Sequence, residues 1–330
     1  MKLAIAITAL AGLLAAILLI GYHGFIAVSD LLLTVGWGMV VISLFHLLPV
    51  TLSSLAWQRV LRNTWSKSLL VFFWARSVRE AVGSLLPVMQ VGGELVGARI
   101  LTFHGAKAGI AGASVVVDLT LESITQFFFT LLGLLLLVLL GGSQQTVRWA
   151  AAGLVLAALA LAGFVIAQHK GMFKLLENFI EKIAGKWEWL SLGKIDNLHD
   201  TIQQLYRERR VLLAAGATHL LSWIISVTEV WLALYFMGSP ISFLEALILE
   251  SLSHAVKSAA FVIPGALGVQ EGAYMLLGEM LGLTPEMGLA LSLVKRVRDL
   301  LLGIPALLGW QAQESGRLWI RASRRKSDGR

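Results

Sequence analysis

Three runs of this sequence, residues 3–21, 31–55 and 149–167, contain no Asp, Glu, Lys or Arg. About 20 consecutive apolar residues are enough for a helix to cross a hydrocarbon layer of about 30 Å. With 57% hydrophobic and 14% charged residues, against about a quarter charged in soluble domains, no single soluble core could bury this much apolar surface. The expectation is an all-α polytopic membrane protein. The first run follows Lys2 but meets no small-x-small cleavage pattern before Gly21-Tyr22-His23-Gly24, so it reads as an uncleaved span. The absence of cysteine excludes disulfides, thiolate metal sites and Cys nucleophiles.

The net charge of +7 acquires meaning from its placement. Positive residues gather at Lys2, at Arg59, Arg62 and Lys67, at Arg99 and Lys107, in 168–210, and in 317–330. The connections 22–30, 141–147, 238–243 and 282–287 carry no Lys or Arg, so the positive-inside rule turns them outward. The assignment closes if 68–104 is a hairpin that enters and leaves on the cytoplasmic side and 243–282 one that does so from outside. About six spans remain, at 3–21, 31–55, 109–141, 149–167, 211–237 and 288–311. Both termini are then cytoplasmic, and the expected location is a bacterial inner membrane. The 109–141 run is too long for a perpendicular crossing and must tilt, break or protrude. In 168–210, Phe173, Leu176, Ile180 and Ile183 fall at helical spacing beside Lys170, Lys174, Glu177, Glu181 and Lys182, which suits a helix lying on the membrane surface. The basic tail, 312–330, is expected to meet anionic lipid headgroups, and nucleic acid is not an expected partner. Most of the eleven Trp residues fall near span ends, as in an interfacial belt.

Two segments read as broken helices: Leu85-Leu86-Pro87-Val88-Met89-Gln90-Val91-Gly92-Gly93-Glu94 and Val262-Ile263-Pro264-Gly265-Ala266-Leu267-Gly268-Val269-Gln270-Glu271. An offset of 177 residues superposes Pro87 on Pro264 and Glu94 on Glu271 without a gap. It also sets Glu80 on Lys257, Asp118 on Lys295 and Glu122 on Asp299, so two of those three pairs exchange sign. The repeat units are 31–141 and 208–311. An odd number of crossings separates the two hairpins, which makes the units inverted. Inverted repeats with Pro- or Gly-interrupted segments in matching positions are a signature of secondary transporters.

A break at Pro87 or Pro264 frees backbone N–H and C=O groups, each costing several kcal/mol in hydrocarbon, so it survives only inside protein or against a cavity. Gly92, Gly93, Gly265 and Gly268 let the chain turn and approach other groups, and the half-helix after each break would direct a positive dipole end inward, where an anionic headgroup fits. Pro kinks packed among small residues are the alternative. The charges add weight to the first reading, because an Asp, Lys or Arg at mid-helix costs about 2.5–3.5 kcal/mol. Asp118 and Glu122 share a face with Ser114 and Gln126. Glu250, His254, Lys257 and Ser258 form a second stripe, and His219, Ser222, Ser226 and Glu229 a third. Lys295 and Asp299, four apart, can pair with each other, and Arg296 or Arg298 needs a partner elsewhere, such as Glu271 or Asp118. Arg76 and Arg79 can clamp a phosphate through their guanidinium forks or snorkel to the interface. Headgroup-binding candidates are therefore Arg76, Arg79, Glu80, Pro87, Gln90, Gly93, Glu94, Arg99, Asp118, Glu122, Lys257, Pro264, Gly265, Gly268, Glu271, Lys295, Arg298 and Asp299. The competing view makes these charges buried ion pairs that lock the bundle. No metal-ligand spacing, catalytic motif or nucleotide loop occurs, so neither cofactor nor catalytic residue is expected.

The motifs Leu-Leu-Pro-x4-Gly-Gly-Glu at 85–94 and Pro-Gly-Ala-Leu-Gly-Val-Gln-Glu-Gly at 264–272 resemble the lysylphosphatidylglycerol synthase transmembrane (flippase-like) family, over most of the chain. The resemblance implies a membrane domain that moves a lipid across the bilayer. Some members add a soluble aminoacyltransferase domain; the sequence reaches Arg330 before one, so synthase activity is not expected. The Pro-Val-x-Gln-Val-Gly-Gly-Glu form is similar to short members associated with hopanoid biosynthesis. The family resemblance implies Pro87, Gly93, Glu94, Pro264, Gly265, Gly268, Glu271 and Gly272 as positions to test. Membrane lipids are the expected substrate, with lipid-biosynthesis enzymes and further copies of the chain as possible partners. A membrane-embedded lipid-modifying enzyme using Glu94 or Asp118 as general base, or a scaffold for such enzymes, are the rivals.

Overall fold

The computed structural model describes residues 25–86, 89–140, 148, 152, 155, 158–159, 198–260 and 263–328. The first expected span, nearly all of 149–167, and residues 168–197 of the expected surface segment lie outside them. The described elements are α1 (Phe25–Val35), α2 (Gly38–Val60), α3 (Leu69–Leu85), α4 (Met89–Phe103), α5 (Ala108–Leu139), α6 (Leu198–Arg207), α7 (Arg209–Phe236), α8 (Phe243–Ala259), a 3₁₀ turn (Pro264–Ala266), α9 (Val269–Glu279) and α10 (Pro285–Asp328). There is no strand among the described residues, so the all-α expectation holds.

Three of these helices, α2, α5 and α7, are long and apolar enough to cross a membrane. α5 runs 32 residues without interruption, about 48 Å at 1.5 Å per residue, so of the three options for the long run breaking is excluded. The expected span 31–55 is corrected: Gly36 adopts φ +48 and separates α1 from α2. A side chain at Gly38 would sit 2.5 Å from the Phe236 ring, so that the start of α2 is seated directly against α7. α10 continues from the expected span 288–311 through Asp328 as one helix of 44 residues, so the basic tail is helical as far as it is described. In α6, Leu198, Ile202 and Leu205 form a buried stripe, and Leu198 packs over Gly112 of α5.

α3 and α4 pack against each other as one hairpin, and α8 and α9 as a second. At 17, 15, 17 and 11 residues these arms reach about 25, 22, 25 and 16 Å, each short of a full crossing. One apolar core surrounds the first hairpin, with Trp57, Phe72, Ile100 and Val117; the other surrounds the second, with Ile42, Phe129, Leu234, Leu249 and Leu289. α2 passes from the second core to the first, whereas α7 passes from the first to the second. α5 and α10 are likewise opposed. α2 packs on α7, α3 on α10, and α8 on α5, so the pairing is unchanged when α2, α3, α4 and α5 are exchanged with α7, α8, α9 and α10.

Candidate functional site

Between the two apolar cores each long helix turns polar. His46 and Ser53 on α2, Glu122 and Gln126 on α5, Ser222, Ser226 and Glu229 on α7, and Lys295, Arg298 and Asp299 on α10 converge on a cavity of about 440 Å³. α3 adds Arg76, Arg79 and Glu80; α4 adds Glu94; α8 adds Glu250, His254, Lys257 and Ser258; and Gly265, Gln270 and Tyr274 come from the second hairpin. The volume lies within the roughly 300–1,000 Å³ typical of small-molecule clefts.

On the first-hairpin side two arginines hold four carboxylates. Arg79 donates to Asp118 Oδ2 at 2.8 Å and to Glu122 Oε2 at 3.0 Å, and its Nε lies 2.8 Å from Glu94 Oε2. Arg76 donates to Glu80 Oε1 at 2.7 Å and binds Glu122 with both guanidinium nitrogens. Asp118 is fully buried and also meets His219 Nε2 at 2.9 Å. The Arg79 guanidinium lies over Trp57, whose indole N–H donates to Ser114 Oγ at 3.1 Å. α4 approaches α3 so closely at Gly93 that any side chain there would collide with the Arg79 carbonyl.

On the opposite side the polarity is reversed. Lys295 Nζ donates to both oxygens of Glu250, at 2.6 and 2.7 Å, and to Tyr274 Oη at 2.9 Å; Tyr274 donates to Glu250 at 2.6 Å, and His254 reaches the same carboxylate at 3.0 Å. Arg298 binds Glu229, and its Nη2 lies 2.5 Å from Asp299 Oδ1. The expected Lys295–Asp299 pair is therefore corrected, since each group has a different partner. His46 joins the two sides, 2.8 Å from Glu229 through Nδ1 and 3.7 Å from Glu80 through Nε2.

Glu271 is 1% exposed and works behind the cavity wall: it accepts the backbone N–H of Gly268 at 2.8 Å, which caps α9, and it accepts from Arg296 Nε at 3.1 Å. Arg296 also donates to the Gly265 carbonyl at 2.6 Å, satisfying a backbone group at the break. Gly265, Ala266 and Gly268 have φ of +60, +47 and +77, and a side chain at Gly265 would lie 2.9 Å from the Ser84 carbonyl. The second tip thus rests on the end of α3.

Of the sequence candidates, Arg76, Arg79, Glu80, Glu94, Glu122, Lys257, Gly265, Lys295, Arg298 and Asp299 line the cavity. Asp118, Gly93, Gly268 and Glu271 support it from behind. Arg99 is directed elsewhere, to Glu314 on α10 and over the Phe103 ring. Pro87 lies outside the described residues, as do the side chains of Gln90 and Pro264. Sequence reasoning missed His46 and Tyr274. His46 carried a signal, as the one imidazole in a charge-free run.

The arrangement pairs the charges that line the cavity, with Lys257 as the exception among the described residues. It has no metal-ligating group of three or more His, Asp or Glu among the described residues. The sequence model of a family described as the lysylphosphatidylglycerol synthase TM region matches residues 3–306. A "UPF0104 membrane protein" of Methanothermobacter thermautotrophicus is 24% identical over 237 residues, covering 67% of this chain and 68% of that protein. No solved structure matches.

Proposed function

The chain belongs to the lysylphosphatidylglycerol synthase transmembrane family, a membrane protein family with a lipid-related role, and from that premise we propose that it is a lipid translocator. The carrying observation is the charged cavity set between two hairpin-bearing halves whose corresponding helices run in opposite directions. That arrangement supports an inverted repeat, with 31–141 and 208–311 as its units and the hairpins entering from opposite faces of a bacterial inner membrane. A polar or anionic headgroup, on a phospholipid or a hopanoid-type lipid, passes along the cavity while its hydrocarbon stays in the bilayer. One unit moves against the other to alternate access. Both termini are cytoplasmic in this reading, and the role is transport without catalysis.

The test is leaflet exchange of a fluorescent phospholipid in proteoliposomes, read by a membrane-impermeant quencher. Exchange above protein-free vesicles, lost in Glu94→Gln, is the expected result. Exchange no faster than in empty vesicles overturns the proposal, and a change in lipid mass assigns the site to an enzyme. A second reading, a scaffold locked by ion pairs, draws on the pairing of nearly every charge in the cavity. It predicts that neutral variants lose thermal stability and leave exchange unchanged.

A further inference from the structure

Five cations line the cavity, and four are taken. Arg76, Arg79, Lys295 and Arg298 each hold a carboxylate, whereas the Lys257 ammonium makes no ion pair or hydrogen bond among the described residues. The acidic group that acts on it most strongly is Asp299, already bound by Arg298, while Lys295, Arg296 and Arg298 repel it. The Lys257 ammonium is partly exposed to the cavity and has no carboxylate of its own within ion-pair distance, so an anionic group entering there would supply the missing counter-charge.

A second feature begins at the same place. A slot of about 230 Å³ shares His46, Val50, Glu80, Ser84 and Asp299 with the polar cavity, then continues between α2, α3 and α10 over Leu47, Phe73, Trp74, Leu302, Pro305 and Ala306. Its walls beyond the shared residues are nearly all apolar. Gly303 keeps α10 close at this point, because a side chain there would lie 2.6 Å from Leu85. Polar chamber and apolar slot therefore adjoin across these five shared residues.

We infer that the site takes an anionic lipid, with its phosphate-type headgroup on Lys257 and a hydrocarbon chain in the slot between α3 and α10. This rests on the translocator reading and names its substrate class. A charge-assisted hydrogen bond contributes about 1.5–3 kcal/mol, which corresponds to a loss of about tenfold or more in occupancy on its removal.

The experiment uses the full chain in phosphatidylcholine nanodiscs carrying a trace of phosphatidylglycerol with a photoreactive group in its acyl chain. After irradiation, mass spectrometry should find label within 73–84 and 302–306. Lys257→Ala should cut that label about tenfold, Lys257→Arg should restore it, and phosphatidylcholine carrying the same chain should give little. The comparison of the two lipids on the wild-type protein stands even if a variant misfolds. Equal slot labelling by both lipids, unchanged labelling in Lys257→Ala, or label confined to outward residues such as Phe128 and Leu135 overturns the assignment. Loss of label on adding inorganic phosphate also overturns it, by making the locus a free-anion site. Selective label without leaflet exchange keeps this inference and removes the translocator; exchange with non-selective label does the reverse.

Discussion

The two sides of the cavity use the same geometry with opposite signs. On the first, the hairpin arm α3 brings the cations and the long helix α5 the carboxylates; on the second, the hairpin arm α8 brings Glu250 and the long helix α10 brings Lys295 and Arg298. The connectivity differs as well. Arg79 ties three carboxylates together, whereas Lys295 serves one carboxylate that Tyr274 and His254 also reach. A hub and a terminus fail differently when removed.

The largest contrast should come from deleting each cation. Arg79→Ala removes the cation shared by Glu94, Glu122 and fully buried Asp118, leaving Asp118 with His219 and a more distant Arg76, and should cost about 3–5 kcal/mol in denaturant unfolding in detergent. Lys295→Met should cost about 1.5–3 kcal/mol, because Glu250 keeps two donors. Equal losses would dissolve the distinction. Next, exchanging the partners as Lys295→Glu with Glu250→Lys should recover most of either single loss, with a coupling of about 0.5–3 kcal/mol in a double-mutant cycle. Additive losses would show that the pair is not acting as one. The hairpin tips come third. Gly93→Ala drives a methyl into the Arg79 carbonyl and should cost about 1–3 kcal/mol. Gly265→Ala fixes a side chain at φ +60 and should cost about 1–2 kcal/mol, both read as shifts of thermal midpoint. Smallest is the start of each hairpin. Ser242 and Glu245 form a reciprocal cap on α8, so Ser242→Ala should cost about 1 kcal/mol. Ser68 makes no side-chain cap on α3, and Ser68→Ala should change stability by less than about 0.5 kcal/mol.

Much of this was legible in the sequence because charge in apolar helices is rare and prolines mark breaks. The stripes through Asp118, Glu122, Glu250, Lys257 and Glu229 were readable from spacing alone. The partner of each charge was not. Lys295 and Asp299 lie four apart on one face, yet each finds a better counter-charge, Lys295 on a neighbouring helix and Asp299 on the residue before it. The Arg298–Asp299 contact joins adjacent residues, which do not face one another on a helix; the length of the guanidinium arm makes it possible. Gly36, at φ +48, broke a run that composition alone left continuous, and Gly38 just after it seats the new helix against Phe236 of α7. Arg99 looked like a site residue because its partner Glu314 stood in a stretch read as a tail.

The close contacts across the halves bear on how they can move. A side chain at Gly133 would overlap the Ser251 hydroxyl, where α5 meets α8, and Gly303 and Gly309 receive Leu85 and Trp74 where α3 meets α10. Each is a notch with a tooth in it. Two of the seams that join the halves, α5 on α8 and α3 on α10, are thereby keyed along the helix axes, so a piston stroke there would have to lift every tooth at once. Rolling about the same teeth would keep them engaged, so under the proposed translocation a pivot, and not a stroke, is the motion to expect at these seams.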